Sequence, residues 1–173
     1  MSWKLALAAL ALLGVTPNPV DARDWLIRAD LVVVVDGDTL VLGGERVRLW
    51  GIDAPEDGQP CERDGKLYDC GASAQAALLE LVAGRDLWCA VRDRDRYGRT
   101  VATCRVGGPD GPDLGASLVR AGWAVDYRRY SKGRYARDEA SARRAGLGLW
   151  EGRFTSPETC RREHCAVSRG AGR

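Results

Sequence analysis

Val35-Asp36-Gly37-Asp38-Thr39-Leu40-Val41-Leu42-Gly43-Gly44-Glu45-Arg46-Val47-Arg48-Leu49-Trp50-Gly51-Ile52-Asp53-Ala54-Pro55-Glu56 is the stretch on which the fold turns. Ahead of it, Leu31-Val32-Val33-Val34-Val35 is dominated by β-branched residues, a strand signal. Thr39 to Leu42 and Glu45 to Trp50 read as two further strands, and Gly43-Gly44 between them is a two-residue hairpin turn. So short a turn fixes the register and sets Thr39 opposite Arg48. Asp38 then stands where one strand begins. The partner strand leads out through Gly51-Ile52 to Asp53-Ala54-Pro55-Glu56, where Pro55 ends regular pairing. Both acids are expected at the same end of one hairpin.

Carboxylates and arginines so placed suit one kind of chemistry. Attack on a phosphodiester builds negative charge on a crowded phosphorus centre, and a hard divalent cation with fixed guanidinium donors stabilises that charge. Asp38 and Asp53 are hard oxygen ligands suited to Ca²⁺ or Mg²⁺. The only histidine, His164, lies beyond the last core element, so acid and base work falls to other groups, with Glu56 as the natural general base. Each segment alone has an ordinary reading. Asp36-Gly37-Asp38 is also a common solvated turn, Arg48 an ordinary exposed strand residue, and Asp95-Arg96-Tyr97-Gly98-Arg99 a polar hairpin loop. Their conjunction carries the argument.

Three segments in order, Val35 to Thr39, Arg48 to Glu56 and Asp95 to Arg99, resemble the signatures of the staphylococcal-nuclease-like, or thermonuclease, family. The likeness runs from about Arg28 to Trp150 and takes in Leu118 to Ala124 and Gly146 to Trp150. By position it implies that Asp38 and Asp53 bind calcium, that Arg48 and Arg99 stabilise the transition state, and that Glu56 activates water. Ala54 takes the place of a threonine whose backbone carbonyl is the calcium ligand, so alanine preserves that contact. Tyr97 matches a substrate-binding tyrosine, whereas Tyr127-Arg128-Arg129-Tyr130 aligns with the family's later tyrosine pair only after a shift. Rings beside arginines can hold single strands by stacking and phosphate contact. Tyr130 and Tyr135 read equally well as aromatics covering a core edge.

The N-terminus carries a localisation signal. Lys4 supplies positive charge, Leu5 to Val15 is an apolar stretch too short to span a bilayer comfortably, and Val20-Asp21-Ala22 ends in a small-residue cleavage pattern. Residues 1–22 are expected to be a signal peptide cut before Arg23, with an uncleaved anchor as the alternative. A periplasmic or secreted destination follows. The six cysteines agree with export, since oxidising compartments permit disulfides and no metal-type Cys-x-x-Cys occurs. Of fifteen pairings, the most economical joins Cys61 to Cys70, Cys89 to Cys104 and Cys160 to Cys165. Cys89–Cys104 would brace the loop that carries Arg99, and Cys61–Cys70 would close the excursion after Glu56.

The remainder reads as scaffold. Helices are expected over Ala72 to Val82, Leu114 to Ala121 and Tyr135 to Ala145, with Gly146 stopping the last. Gly107 to Asp113 is a turn rather than a domain boundary. Strand-rich first and helix-rich later, the chain is of the α+β class, and the resemblance implies a five-stranded Greek-key barrel of the OB type with three helices. One nuclease domain over residues 23–153 is expected, followed by an arginine-bearing tail over 154–173 with no assigned chemistry. A formal net charge of +2 lacks the strongly basic profile of tight nucleic-acid binders, which a turnover enzyme with a local positive groove does not need. Basic residues gather between Arg128 and Arg144; unless they line one face, they are a solvated helix.

The sequence therefore predicts an exported, monomeric, Ca²⁺-dependent endonuclease for DNA and RNA, of low sequence specificity and leaving 3′-phosphates, with no stable protein partner. The rival readings are a non-catalytic barrel that binds strands and a disulfide-braced envelope protein whose charges are incidental.

Overall fold

The computed structural model describes residues 24–165; the expected signal peptide and residues 166–173 lie outside them. Strands β1 (Trp25–Ile27), β2 (Val32–Val34), β3 (Thr39–Leu42) and β4 (Glu45–Leu49) come first, then the two-residue β5 (Ile52–Asp53). The hairpin β6 (Pro60–Arg63) and β7 (Lys66–Asp69) runs directly into helix α1 (Cys70–Val82). The long pair β8 (Leu87–Arg94) and β9 (Thr100–Val106) follows, then α2 (Leu114–Arg120), β10 (Val125–Asp126), α3 (Arg128–Ser131), α4 (Ala136–Ala145), β11 (Arg153–Phe154) and α5 (Pro157–Glu163).

The predicted register is observed: Thr39 faces Arg48, and Gly43 and Gly44 both take positive φ, 57° and 91°, as a primed hairpin turn demands. The main sheet has the order β1-β8-β9-β4-β3-β2. All neighbours in it are antiparallel except β4 and β9, which run parallel with Arg48 beside Val101. The α+β class is as expected, but the counts differ. The main sheet has six strands because Trp25–Ile27 adds an edge to β8. Among the described residues five helices replace three, since α3 is a single turn and α5 lies in the segment read as a tail.

Alternation along the strands sends Leu40, Leu42, Val47, Leu49 and Ala102 into one core, closed by Ala74, Leu78 and Val82 of α1 and Leu118 of α2. Tyr135 belongs inside it, only 2% exposed, with its hydroxyl donating to Asp113 at 3.4 Å; the ring is part of the core itself rather than a stacking surface or an exposed cover at its edge. All three economical disulfides form. Cys89 and Cys104 are direct cross-strand partners on β8 and β9. Cys61–Cys70 ties the β6 hairpin to the start of α1, with a loop-entropy contribution on the order of 2–3 kcal/mol.

The start of α1 is capped by Asp69, whose side chain accepts from the Ala72 N–H at 2.9 Å. Two residues after the cap, Gly71 lies against the Glu56 backbone so closely that a Cβ there would overlap the Glu56 carbonyl oxygen. Gly71→Ala is therefore expected to cost about 1–3 kcal/mol through backbone displacement, and to move the loop that carries Glu56. Denaturant unfolding and cleavage assays on the same preparation check this; an unchanged midpoint would show that the two segments are free to separate.

Residues 154–165 fold back on the domain. Strand β11 pairs with β6, setting Phe154 beside Cys61. The buried Gln59 side chain donates to the Thr155 carbonyl at 2.8 Å and accepts from the Glu56 N–H at 3.1 Å. One side chain thus ties the Glu56 loop to the segment leading into α5.

Candidate active site

Asp36 begins the site: its Oδ1 accepts from the Asp38 N–H at 3.0 Å and folds the Asp-Gly-Asp turn. Asp38 is then locked between strands. Its carbonyl accepts from the Leu49 N–H at 2.8 Å, its Oδ1 from the Thr39 hydroxyl at 3.1 Å and its Oδ2 from the Ala54 N–H at 3.1 Å. Asp53 sits in β5, paired with Val125 of β10, and is 1% exposed. Arg48 projects between the two acids. A single nitrogen, Nη2, lies 2.8 Å from Asp38 Oδ2 and 2.8 Å from Asp53 Oδ1. The hairpin therefore delivers both acids to one end, as the register required.

Burial decides the electrostatics. Loss of hydration is the largest influence on Asp38 and pushes its carboxyl up to about 7, against the pull of Arg48 and with the help of Asp36 and Asp53. Because this value lies above that of the unfolded chain, the ionised carboxylate costs stability progressively as pH rises from the ordinary carboxylate range to about 7. Burial opposes the charge on Arg48 too, but Asp38 and Asp53 outweigh it and hold the guanidinium protonated more firmly than usual.

The donors suit a hard cation. Asp38 Oδ2 and Asp53 Oδ1 share one Arg48 nitrogen, so two hard carboxylate oxygens, the ligand type calcium takes, lie close together in a buried position. Among the described residues no group of three or more His, Cys, Asp or Glu converges in this way. A cation here would rest on Asp38 and Asp53, with backbone oxygen and solvent completing its shell. Ala54 adjoins both acids, and it is its N–H that faces Asp38.

Glu56 is adjacent and partly exposed. Its Oε1 accepts from Arg161 Nη1 at 2.6 Å, and the same guanidinium grips Asp53 through Nη1 to Oδ1 and Nη2 to Oδ2, both at 2.8 Å. Arg161 comes from α5, in the segment to which the sequence reading gave no chemistry. Its separation from Asp53 is 108 residues, and the only local signal is a charged residue beside Cys160 in a short disulfide loop.

Arg99 is held elsewhere. Its Nε lies 2.6 Å from Asp95 Oδ2, and Asp95 Oδ1 accepts from the backbone N–H groups of Tyr97 and Arg99, both at 2.9 Å. Burial works against ionisation of Asp95, but the Arg99 side chain and these N–H donors hold its carboxyl below the usual range. The loop thus presents Arg99 two residues before Val101, the strand partner of Arg48. Tyr97 is 69% exposed on the same loop, with the Arg96 and Arg99 guanidiniums against its ring.

The later basic residues do not make one bare face. Arg128 lies near Asp126 and Glu139, Arg134 near Asp113, and Arg120 pairs with Asp138. Tyr127 meets Tyr130 edge to face, with 5.0 Å between ring centroids, and itself lines a cleft with Asp53, Trp150, Phe154 and Glu158.

Comparison with known proteins identifies the family. The sequence model of the family described as "Staphylococcal nuclease homologue" matches residues 46–152, more than half of the chain. The chain is 43% identical over 119 residues to the "Succinoglycan biosynthesis protein ExoI" of Rhizobium meliloti, covering 68% of this chain and 61% of that protein. It is 36% identical over 162 residues to the "Micrococcal nuclease" of Shigella flexneri, covering 85% of this chain and 88% of that one. An "Uncharacterized endonuclease" of Escherichia coli O157:H7 is 36% identical over 109 residues, 61% of this chain and 64% of that one. The family match and the near-full-length likeness to the Shigella protein together show that the chain belongs to the staphylococcal nuclease homologue family, a family of phosphodiester hydrolases.

Proposed function

We propose that this protein is an exported, calcium-dependent endonuclease that hydrolyses phosphodiester bonds of DNA and RNA with little sequence specificity, leaves 3′-phosphate ends and acts as a monomer. The observation that carries the reading is the convergence of buried Asp38 and Asp53 on one Arg48 nitrogen, with Glu56 alongside. Asp38, Asp53 and the Ala54 backbone would hold calcium, which when bound polarises a phosphate oxygen and neutralises its charge.

The chain's own groups do the rest. Glu56, at the solvent-facing side of the cluster, takes a proton from the attacking water through its carboxylate. Arg48 and Arg99 donate to phosphate oxygens as charge grows on them, and a planar guanidinium meets two such oxygens at once. Asp95 keeps Arg99 oriented before substrate arrives, so little ordering is left for the transition state. Tyr97 offers a base a ring on which to stack. Stacking and backbone contacts read no base edge, which supports broad specificity.

The direct test is digestion of single-stranded DNA and of RNA by the oxidised protein in calcium or in EGTA, followed by analysis of the product ends. Cutting is expected in calcium alone, with 3′ ends that a polymerase extends only after phosphatase treatment. Undiminished cutting in EGTA would remove the metal from the mechanism, and 3′-hydroxyl products would reverse the assigned cleavage direction.

A further inference from the structure

The carboxylates assigned to cation and water are already engaged by a cation of the chain's own. Arg161 spans them: Nη1 reaches both Asp53 Oδ1 and Glu56 Oε1, and Nη2 reaches Asp53 Oδ2. With Arg48 Nη2 also on Asp53 Oδ1, each oxygen of Asp53 accepts at least one charged hydrogen bond at 2.8 Å. Asp53 and Glu56 hold the Arg161 guanidinium protonated well beyond its ordinary range, although burial disfavours its charge.

The helix that delivers this side chain is fixed in place. Ser156 caps α5 and Pro157 occupies its first turn. The segment before it is held by β11 pairing and by Gln59, and Cys160, fully buried, is bonded to Cys165. On the outer side the Tyr127 hydroxyl donates to Glu158 at 3.4 Å. The Arg161 side chain itself is 32% exposed, which leaves it a route out to solvent while the helix stays docked.

Occupied ligands say what must happen when a divalent ion arrives. Both oxygens of Asp53 already accept from guanidiniums, and Glu56 Oε1 accepts from the same Arg161 Nη1 that reaches Asp53. A divalent ion that takes Asp53 as a ligand meets the Arg161 charge at hydrogen-bond distance from that ligand, and withdrawal of Arg161 removes the repulsion and releases Oδ2 and Glu56 together. We propose that Arg161 is a tethered competitor for the cation site: it holds Asp53 and Glu56 in a closed resting state and withdraws when the divalent ion binds. The proposal rests on the cation reading of Asp38 and Asp53. In the resting state Glu56 is occupied as an acceptor, so one displacement both frees an Asp53 ligand and releases the base. Calcium affinity is then lowered by the fraction of molecules in which Arg161 is out.

Calorimetric titration of calcium into the oxidised full chain, without nucleic acid, tests this. Arg161→Gln removes the competitor, Arg161→Lys keeps its charge but lacks the second nitrogen that reaches Asp53 Oδ2, and Arg162→Gln removes an equal charge from the exposed side of the same helix. Arg161→Gln is expected to bind calcium about tenfold or more tightly than wild type, as it would if the open state were populated at about a tenth. Arg161→Lys is expected to fall between the two, and Arg162→Gln to match wild type. Circular dichroism verifies folding; should the glutamine variant not fold, the lysine variant decides alone. Equal or weaker calcium binding by the Arg161 variants, with wild type binding, would overturn the competitor role and leave the cation reading intact. No calcium binding by any of the proteins would overturn the cation reading and the proposal with it.

Discussion

Arg48→Ala is expected to lower kcat on single-stranded DNA by about 10²–10³-fold, the scale seen when one transition-state donor is lost, and to unfold at markedly lower denaturant in the absence of calcium. Both effects come from one atom's position. Nη2 of Arg48 is the shared partner of two carboxylates that are otherwise almost sealed from water, with side chains 5% and 1% exposed. Taking the arginine away leaves buried charge uncompensated, a defect of about 3–5 kcal/mol in comparable sites. Asp53 keeps Arg161, so the burden falls on Asp38. Its carboxyl, already pushed up to about 7 by burial, is driven further up without Arg48. The stability deficit should therefore widen as pH rises through 7 and narrow toward pH 5, where Asp38 carries a proton in either protein. Calcium should restore part of the loss by mass action. Urea unfolding at pH 5 and pH 8, with and without calcium, reads all of this; a variant as stable as wild type at pH 8 would mean that the acids do not depend on Arg48.

Glu56→Gln should abolish turnover while sparing the rest of the molecule. Glutamine keeps the length of the side chain and an oxygen that Arg161 can donate to, but at working pH it takes no proton. A drop in kcat of about 10²–10⁴-fold is expected, with calcium affinity preserved or improved because Asp38 and Asp53 remain. Folding should change little, since Glu56 is partly exposed and its backbone is held by Gln59 and by the close packing of Gly71, which the substitution does not touch. That separation of effects distinguishes the base from Arg48, whose loss is structural and chemical together.

What the sequence disclosed was whatever short-range rules control. The Gly43-Gly44 turn fixes the β3–β4 register, which sets Thr39 opposite Arg48 and brings Asp38 and Asp53 to one end of the hairpin. Neighbouring cysteines found each other for the same reason, the loops between them being short. The start of α5 is also legible, since Ser156-Pro157 is a cap followed by a first-turn proline, but nothing local shows where the helix docks. Long-range placement was not readable. Strands of two residues such as β5, β10 and β11 carry no periodicity and exist only because distant partners meet them. Arg161 is the extreme case: nothing near it in sequence shows that its guanidinium reaches Asp53 and Glu56. Tyr135 and the arginines after Arg128 were open in the sequence between a nucleic-acid face and ordinary scaffold; the ring is core, and Arg128 and Arg134 lie beside acids.

The central claim, that the carboxylate–arginine cluster is a calcium-dependent catalytic centre, is tested most directly by single-turnover cleavage of a labelled single-stranded DNA by wild type and Glu56→Gln side by side in saturating calcium. Rapid cutting by wild type, and cutting at least about a hundredfold slower by a folded, calcium-binding Glu56→Gln protein, is the predicted result. Rates within a few-fold of each other would contradict it and move the chemistry to another part of the molecule.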